Sequence, residues 1–319
     1  MATARPSSWQ LRWRSQGVRS RNATRHHNFR SEENAMTAIG MVGIGDMGSE
    51  MLPHLIAGGY PVWAFDPDPS RLRAAVAAGA TAAESPADAA RHSDVVLSLV
   101  MSDDIPTAHF GENGILQGLR PGALLVICST TTPAVLDEVR RMADPAALVL
   151  DAPIVGGVRY AREKAVTFLV GGDPQVVTQA EDVLASLGKV ERVGAAGSGV
   201  IYKLITNAFV MAAEVGLREA LDLTDILGGD YETALRLFGI GPMAAVVKRA
   251  LDESNPRPLR ASAEDFDTLL SAVDNPALLR ISSAGRDRIW AAVDAEPGHE
   301  PMFVELTRKS TAFDSFRSR

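Results

Sequence analysis

The sequence predicts an α/β fold in which a doubly wound parallel sheet is followed by an all-helical part. Apolar strand patterns alternate with helical patterns from residue 36 to about residue 196, which is typical of a parallel sheet with helices on both faces. No strand pattern follows Gly199. The apolar segment from Val200 to about Leu227 predicts one helix of about 40 Å, long enough to join two domains.

Three segments are expected along the chain. Residues 1–35 are rich in arginine and contain no acidic residue before Glu32. They would be either a disordered transit peptide for an organelle or upstream sequence that is not native to the working protein, with Met36 as its start. Residues 36–196 would form the sheet domain, and residues 197–319 the helical domain.

Composition excludes several classes of function. The chain has 319 residues, 46% of them hydrophobic, so it can bury a large core. A net charge of −7 argues against a nucleic-acid partner, since phosphate contacts need clustered positive charge. No apolar run reaches the roughly 18 residues of a membrane span, so no membrane partner is expected.

The chain has few of the cysteine and histidine side chains that form disulfides or bind metals. A single cysteine, Cys128, cannot form an internal disulfide, which suits a reducing compartment such as the cytoplasm. A transit peptide would instead indicate mitochondria. Cys128 ends the apolar run 124–128, so we interpret it as a core residue. The six histidines show no spacing typical of a metal site.

A glycine-rich turn follows the first predicted strand. It has the pattern GxGxxG and consists of Gly43, Ile44, Gly45, Asp46, Met47 and Gly48. The first glycine would permit a sharp turn, the second would let a pyrophosphate approach, and the third would let the next helix pack closely on the sheet. The turn therefore predicts a dinucleotide site at a helix N-terminus.

The second predicted strand ends on an acidic residue that bears on cofactor choice. Asp66 is placed to accept hydrogen bonds from an adenosine ribose and to repel a 2′-phosphate. We therefore predict NAD rather than NADP, although Arg71 lies nearby in the sequence. The carboxyl end of a later strand brings Ser129 and Thr130 to the same crevice.

One lysine on the long helix is a candidate acid/base. Lys203, Asn207 and Glu214 follow one face of the helix, and this face could simply be solvated. However, only five of the 32 basic residues are lysines, and lysine, unlike arginine, can be tuned to exchange protons.

Together these motifs resemble those of the β-hydroxyacid dehydrogenase family. The glycine turn resembles the family's cofactor motif, and Ser129-Thr130 with Pro133 matches its ST-x-x-P element. Residues 151–157, DAPIVGG, resemble the substrate-binding stretch DAPVSGG. Residues 197–207 match G-x-G-x-x-x-K-l-x-N-N.

The resemblance implies a Rossmann-type sheet domain and a helical substrate and dimerisation domain. It implies hydride exchange between the nicotinamide and a small 3-hydroxy acid or its semialdehyde. Lys203 would act as general acid/base and Asn207 would fix substrate and lysine, while the backbone N–H groups of Gly156 and Gly157 would hold the carboxylate. It also implies a homodimer or homotetramer.

The sequence departs from the family pattern at several positions. Val155 stands where the family has a serine, and Thr206 replaces the first asparagine. Residues 266–274 fit F-x-x-x-L-x-x-K-D, except that Val273 replaces the lysine. We expect these changes to alter substrate choice, toward a bulkier or more apolar substrate.

Two other functions stay open on the sequence. One is an NADPH-dependent semialdehyde or imine reductase. The other is a dinucleotide-binding module without chemistry, which the valines at positions 155 and 273 favour. Retention of Lys203 and Asn207 favours the enzyme.

Overall fold

A nine-stranded sheet forms the centre of the N-terminal part of this computed structural model, which describes residues 37–308. The strands are β1 (Ile39–Val42), β2 (Val62–Phe65), β3 (Thr81–Ala82), β4 (Val95–Ser98), β5 (Leu124–Ile127), β6 (Leu148–Asp151), β7 (Ile154–Val155), β8 (Val166–Gly171) and β9 (Gly188–Gly194). Their order is β3-β2-β1-β4-β5-β6-β8-β7, with β9 beside β8.

The pairing confirms the predicted parallel, doubly wound sheet and adds an antiparallel feature. Along the spatial order β3-β2-β1-β4-β5-β6, each neighbouring pair of strands is parallel. Strands β8 and β9 are also parallel. Strand β8 runs antiparallel to β6 and β7. Every residue of β1, β4 and β5 is buried, as expected for parallel strands covered on both faces.

Helices alternate with these strands and then follow them without interruption. They are α1 (Asp46–Ala57), α2 (Pro69–Ala77), α3 (Pro86–Arg91), α4 (Ile105–His109), α5 (Ile115–Gly118), α6 (Pro133–Met142), α7 (Val158–Arg162), α8 (Pro174–Ala185), α9 (Ser198–Ile226), α10 (Tyr231–Phe238), α11 (Ala244–Ala250), α12 (Leu259–Ser271) and α13 (Arg280–Val293). Beyond Ser198, the regular elements of the described chain are helical, which confirms the predicted fold class.

Four of the helices that cover the sheet begin with the same type of N-cap. A polar side chain accepts a hydrogen bond from a first-turn N–H, and a proline follows at the first helical position. This holds for α2, α3, α6 and α8, whose caps are Asp68, Ser85, Thr132 and Asp173. Proline has no N–H to leave unpaired there, and its fixed φ suits a helix start.

The long helix α9 connects the sheet with the helical part. It contacts β8 and β9 and also packs against α10, α11, α12 and α13. By length and composition it could cross a membrane: one 18-residue window has a mean hydropathy of 1.4, with 33% of that window buried. Core helices of soluble proteins meet the same criterion, so this is weak evidence for a span.

A buried carboxylate fixes the start of α9 on the sheet. Asp151, at the end of β6, is fully buried and accepts hydrogen bonds from the amides of Gly197 (2.8 Å) and Val200 (3.2 Å). Arg140 donates to the same carboxylate at 3.0 Å. Gly197 has a φ of +91°, which favours glycine. These contacts set where α9 presents its side chains.

The predicted extension 1–35 lies outside the described residues. The predicted boundary near residue 196 falls between β9 and α9 and stays a prediction.

Candidate active site

A cleft of about 720 Å³ contains most of the predicted site residues. Small-molecule sites commonly span roughly 300–1,000 Å³. Its lining includes Gly43, Gly45, Asp46, Met47, Asp66, Ser129, Thr130, Gly156, Gly157, Lys203 and Asn207. Ile44 and Gly48 are buried and lie outside this lining. The structure thus brings the glycine turn and the long helix to one cleft.

The glycine turn occurs where β1 and β4 end side by side. Gly43 has a φ of +95°, and a Cβ there would lie 2.7 Å from the carbonyl oxygen of Leu99. A Cβ on Gly48 would collide with the carbonyl oxygen of Gly43. At Gly45 the nearest neighbour to such a Cβ is Arg71 Nη1, at 3.7 Å. Gly43 and Gly48 therefore serve the fold, whereas Gly45 leaves space in the cleft.

Asp66 closes the same turn from the end of β2. One carboxylate oxygen accepts from the amide of Ile44 at 2.7 Å, and the other accepts from the amide of Asp68 at 2.9 Å. Each oxygen keeps a lone pair, since an ionised carboxylate offers about four acceptor sites. This side of the cleft therefore keeps acceptor sites for the ribose of a bound dinucleotide.

Ser129 and Thr130 follow β5 at the cleft. The Ser129 hydroxyl donates to the carbonyl oxygen of Val100 at 2.6 Å, which ties the ends of β4 and β5 together. Cys128 also lines the cleft, and burial raises the pKa of its thiol to about 12. A thiol with this pKa stays protonated near neutrality, which agrees with its interpretation as a core residue.

The segment after β7 supplies backbone donors. Gly156 has a φ of +133°, and among residues 37–308 no group accepts a hydrogen bond from the amides of Gly156 or Gly157. A Cβ on Gly157 would collide with the side chain of Asn255. These two amides are therefore free to bind an anion.

Lys203 is half-buried on the first turns of α9 and lines the cleft. Burial lowers the pKa of its amine below the ordinary value. The Asp265 carboxylate opposes this shift, whereas Arg257 and Arg249 add to it. A lysine in this environment loses its proton more readily than an exposed one.

Asn207 lies one turn beyond Lys203 on the same helix and also lines the cleft. Its Nδ2 atom is buried and has no hydrogen-bond partner among the described residues. Buried amide donors are rarely left unpaired, so this group is available to a bound ligand.

Sequence reasoning missed four charged residues of this cleft: Glu84, and Arg249, Arg257 and Asp265, which accompany Lys203. Arg257 donates to Asp265 at 3.0 Å, and Arg249 donates to Glu214 at 2.7 Å. Glu214, expected on the same face as Lys203, is buried. Burial raises the pKa of its carboxyl above the ordinary value, and the two arginines only partly oppose this shift. The partners lie on different elements, so no local pattern indicated them.

The positions that depart from the family pattern differ in whether they line the cleft. Val155 and Thr206 line the cleft, so their substitution does alter its wall. Val273 is 38% exposed, follows the end of α12, and does not line the cleft. Helix α12 presents Ala261 and Asp265 to the cleft instead.

Within residues 37–308, no group of three or more His, Cys, Asp or Glu side chains could hold a metal ion.

Comparison with known proteins agrees with this geometry. Residues 38–201 match the NAD binding domain of 6-phosphogluconate dehydrogenase. The mitochondrial 3-hydroxyisobutyrate dehydrogenase of Bos taurus is 34% identical over 64% of this chain, and the match spans 62% of its own length. The L-threonate dehydrogenase of Cupriavidus necator is 31% identical, over 76% of this chain and 95% of its own length.

A solved structure shows the same fold. The 3-hydroxyisobutyrate dehydrogenase of Mycobacterium tuberculosis, with L-serine, aligns with a TM-score of 0.70 at 24% identity, covering 85% of this chain and 98% of its own. The matched nucleotide domain and the two sequence relatives together place this chain in the β-hydroxyacid dehydrogenase family.

Proposed function

We propose that this protein is an oxidoreductase that transfers a hydride between NAD and a small 3-hydroxy acid or its semialdehyde. One observation carries the proposal: a single cleft is lined by the glycine turn with Asp66 and by Lys203 with Asn207. The names of the two sequence relatives support a hydroxy acid as substrate. A binding module without chemistry would not need a half-buried lysine and an unpaired buried amide in its cleft.

Each side chain has a distinct task in the proposed reaction. Lys203, as the neutral amine, takes the proton from the substrate hydroxyl as general base. As the hydroxyl loses its proton, the carbinol carbon loses its hydride, for which NAD⁺ held by the glycine turn and Asp66 would supply the acceptor, so the alcohol becomes a carbonyl group. In the reverse direction, protonated Lys203 returns the proton to the carbonyl oxygen.

Binding residues hold the substrate for this transfer. The Asn207 amide donates to the substrate oxygen that exchanges its proton with Lys203. The free amides of Gly156 and Gly157 bind the carboxylate. Holding the carbinol carbon in place removes much of the entropic barrier to reaction.

We infer a preference for NAD over NADP from the charges beside the turn. The carboxylates of Asp66 and Asp68 would repel a 2′-phosphate. The nearby cation, Arg71, lies 3.9 Å from the Asp68 carboxylate. Two carboxylates that repel a 2′-phosphate therefore outnumber the one arginine that could attract it, which favours NAD.

A substrate panel tests the proposal. Purified protein would be assayed with 3-hydroxy acids, their semialdehydes and cyclic imines, each with both cofactors, while nucleotide binding is followed by NADH and NADPH fluorescence. We expect NAD-dependent oxidation of at least one 3-hydroxy acid and tighter binding of NADH than of NADPH. Tight NADH binding without turnover of any compound would overturn the enzyme assignment, and imine reduction alone would replace it.

A further inference from the structure

Two arginines converge beside the proposed reaction centre. The guanidinium groups of Arg249 and Arg257 lie over the same aromatic ring, that of Phe303, at 5.7 Å and 5.9 Å from its centroid. Both arginines and Lys203 line the cleft. The two guanidinium carbons therefore lie within about 12 Å of each other, and Phe303 is itself buried.

Each arginine keeps most of its hydrogen-bonding capacity. A guanidinium has five N–H donors. Arg249 uses Nε on Glu214, and Arg257 uses Nη2 on Asp265. The terminal amino groups of Arg249 make no hydrogen bond within residues 37–308. The acids therefore orient the two guanidinium groups without saturating them.

The arginine pair is separate from the glycine amides but close to them. Asn255 touches Gly157 and accepts a hydrogen bond from the amide of Arg159 at 3.2 Å. Arg257 follows Asn255 by two residues, so their Cα atoms lie within about 7 Å. The cleft thus carries two neighbouring anion-binding groups.

We propose that Arg249 and Arg257 form a second anion subsite and that the substrate is a 3-hydroxy acid bearing a second carboxylate. The glycine amides bind one carboxylate of the substrate, and the arginines bind the other. This inference rests on the proposed function, because it names the substrate class of the same site. It replaces the expectation of a bulkier or more apolar substrate, which rests on the departures at Val155, Thr206 and Val273.

A carboxylate suits this subsite better than a phosphate. Guanidinium groups bind both carboxylates and phosphates in a bidentate manner, so charge decides between the two anions. Asp265 and Glu214 each hold one of the arginines, so a doubly charged phosphate would face two carboxyl groups. A single negative charge meets less repulsion.

Two substrates of equal length test the subsite. 3-Hydroxyglutarate and 3-hydroxypentanoate share five carbons and the hydroxyl position, but only the first has a second carboxylate. We expect the wild type to prefer 3-hydroxyglutarate in kcat/KM. Because Arg257 also influences Lys203, the quantity compared is the ratio of kcat/KM for 3-hydroxyglutarate to that for 3-hydroxypentanoate, in which an effect on the shared general base cancels. Arg257→Gln should lower this ratio by about 10–150-fold, the loss typical of a hydrogen bond to a charged group.

Arg260→Gln is the matched control. Arg260 lies on α12, pairs with Glu300 at 3.2 Å, is exposed, and does not line the cleft. It should not change the preference. An equal loss for both substrates in Arg257→Gln would overturn the subsite, because a purely structural arginine affects both alike.

A binding measurement separates this inference from the dehydrogenase assignment. Calorimetric titration of glutarate into the NAD complex requires no turnover. We expect glutarate to bind and Arg257→Gln to weaken it at least tenfold, with NAD affinity unchanged. If no 3-hydroxy acid of the substrate panel is oxidised but glutarate still binds through Arg257, the dehydrogenase assignment fails and the subsite stands. If glutarate binding does not depend on Arg257, the subsite fails.

Discussion

Two faces of the cleft bind by different means. The nucleotide face, Gly43, Gly45 and Asp66, is built from backbone and one carboxylate at the ends of adjacent strands. The reaction face, Lys203, Asn207, Arg249, Arg257 and Asp265, consists of side chains from α9, α11, α12 and the segment before α12. The first depends on close backbone approach, whereas the second depends on charges that tune one another.

This difference sets how each face should respond to substitution. On the nucleotide face, the position of an added methyl group should decide whether it lowers the stability of the fold or weakens NAD binding. On the reaction face a change of charge should alter chemistry or pH dependence while the cofactor still binds. The three predictions below test that separation, from the largest expected effect to the smallest.

Replacing the amine of the reaction face should have the largest effect. Lys203→Ala is expected to lower kcat for hydroxy acid oxidation by about 10²–10⁴-fold, the usual contribution of a general base. NAD affinity should not change, because the nucleotide face is intact. Steady-state kinetics and NADH fluorescence measure the two quantities.

Lys248→Ala is the control for that experiment. Lys248 is exposed on α11 and lies outside the cleft lining, so its variant should behave as wild type. If Lys203→Ala lost NAD binding together with turnover, the two faces would not be separable.

Two glycines of the turn, Gly48 outside the cleft lining and Gly45 on the nucleotide face, should differ from each other. Gly48→Ala is expected to lower the free energy of unfolding by about 1–3 kcal/mol, because the new methyl collides with the backbone at Gly43. Gly45→Ala should cost less than about 1 kcal/mol but weaken NAD binding, since its methyl would occupy the space for the pyrophosphate. Denaturant melts without NAD and calorimetric titration with NAD distinguish them. Equal stability losses would contradict this division of roles.

Asp265 should shift the pH dependence of the reaction. Its carboxylate raises the pKa of Lys203 against the effects of burial, Arg249 and Arg257. Oxidation needs the neutral amine, so kcat/KM rises with pH as Lys203 loses its proton. Asp265→Asn removes the raising effect and should move this rising limb to lower pH.

Asp267→Asn is the matched control for the pH profile. Asp267 is exposed on the same helix, accepts a hydrogen bond from Trp290, and does not line the cleft. Its profile should overlay that of the wild type. A shift of the Asp265→Asn limb to higher pH would show that another group controls it.

The two faces also differ in how far the sequence predicted them. A strand, three glycines and an acid at the next strand end are local patterns, so the nucleotide face could be predicted in detail. Lys203 and Asn207 were also predicted, since both lie on one helix with α-helical spacing. Pairs such as Glu214 with Arg249 are 35 residues apart and form only when α9 and α11 pack together.

The position of Val273 outside the cleft depends on tertiary packing in the same way. A loose pattern of apolar residues placed it in a motif, but only the packing of α12 decides which of its side chains meets the cleft. Asp265 faces the cleft because of that packing. The short strands β3 and β7 were likewise missed, since two residues carry too little periodicity to indicate a strand.

The structure of a complex with NAD and a bound 3-hydroxy acid tests the central claim most directly, namely that both faces serve one reaction centre. The account predicts Lys203 Nζ within hydrogen-bond distance of the substrate hydroxyl, about 2.6–3.2 Å. It also predicts that the nicotinamide ring lies against the carbinol carbon that bears this hydroxyl. A nicotinamide seated away from Lys203, with no substrate oxygen near the amine, would contradict it.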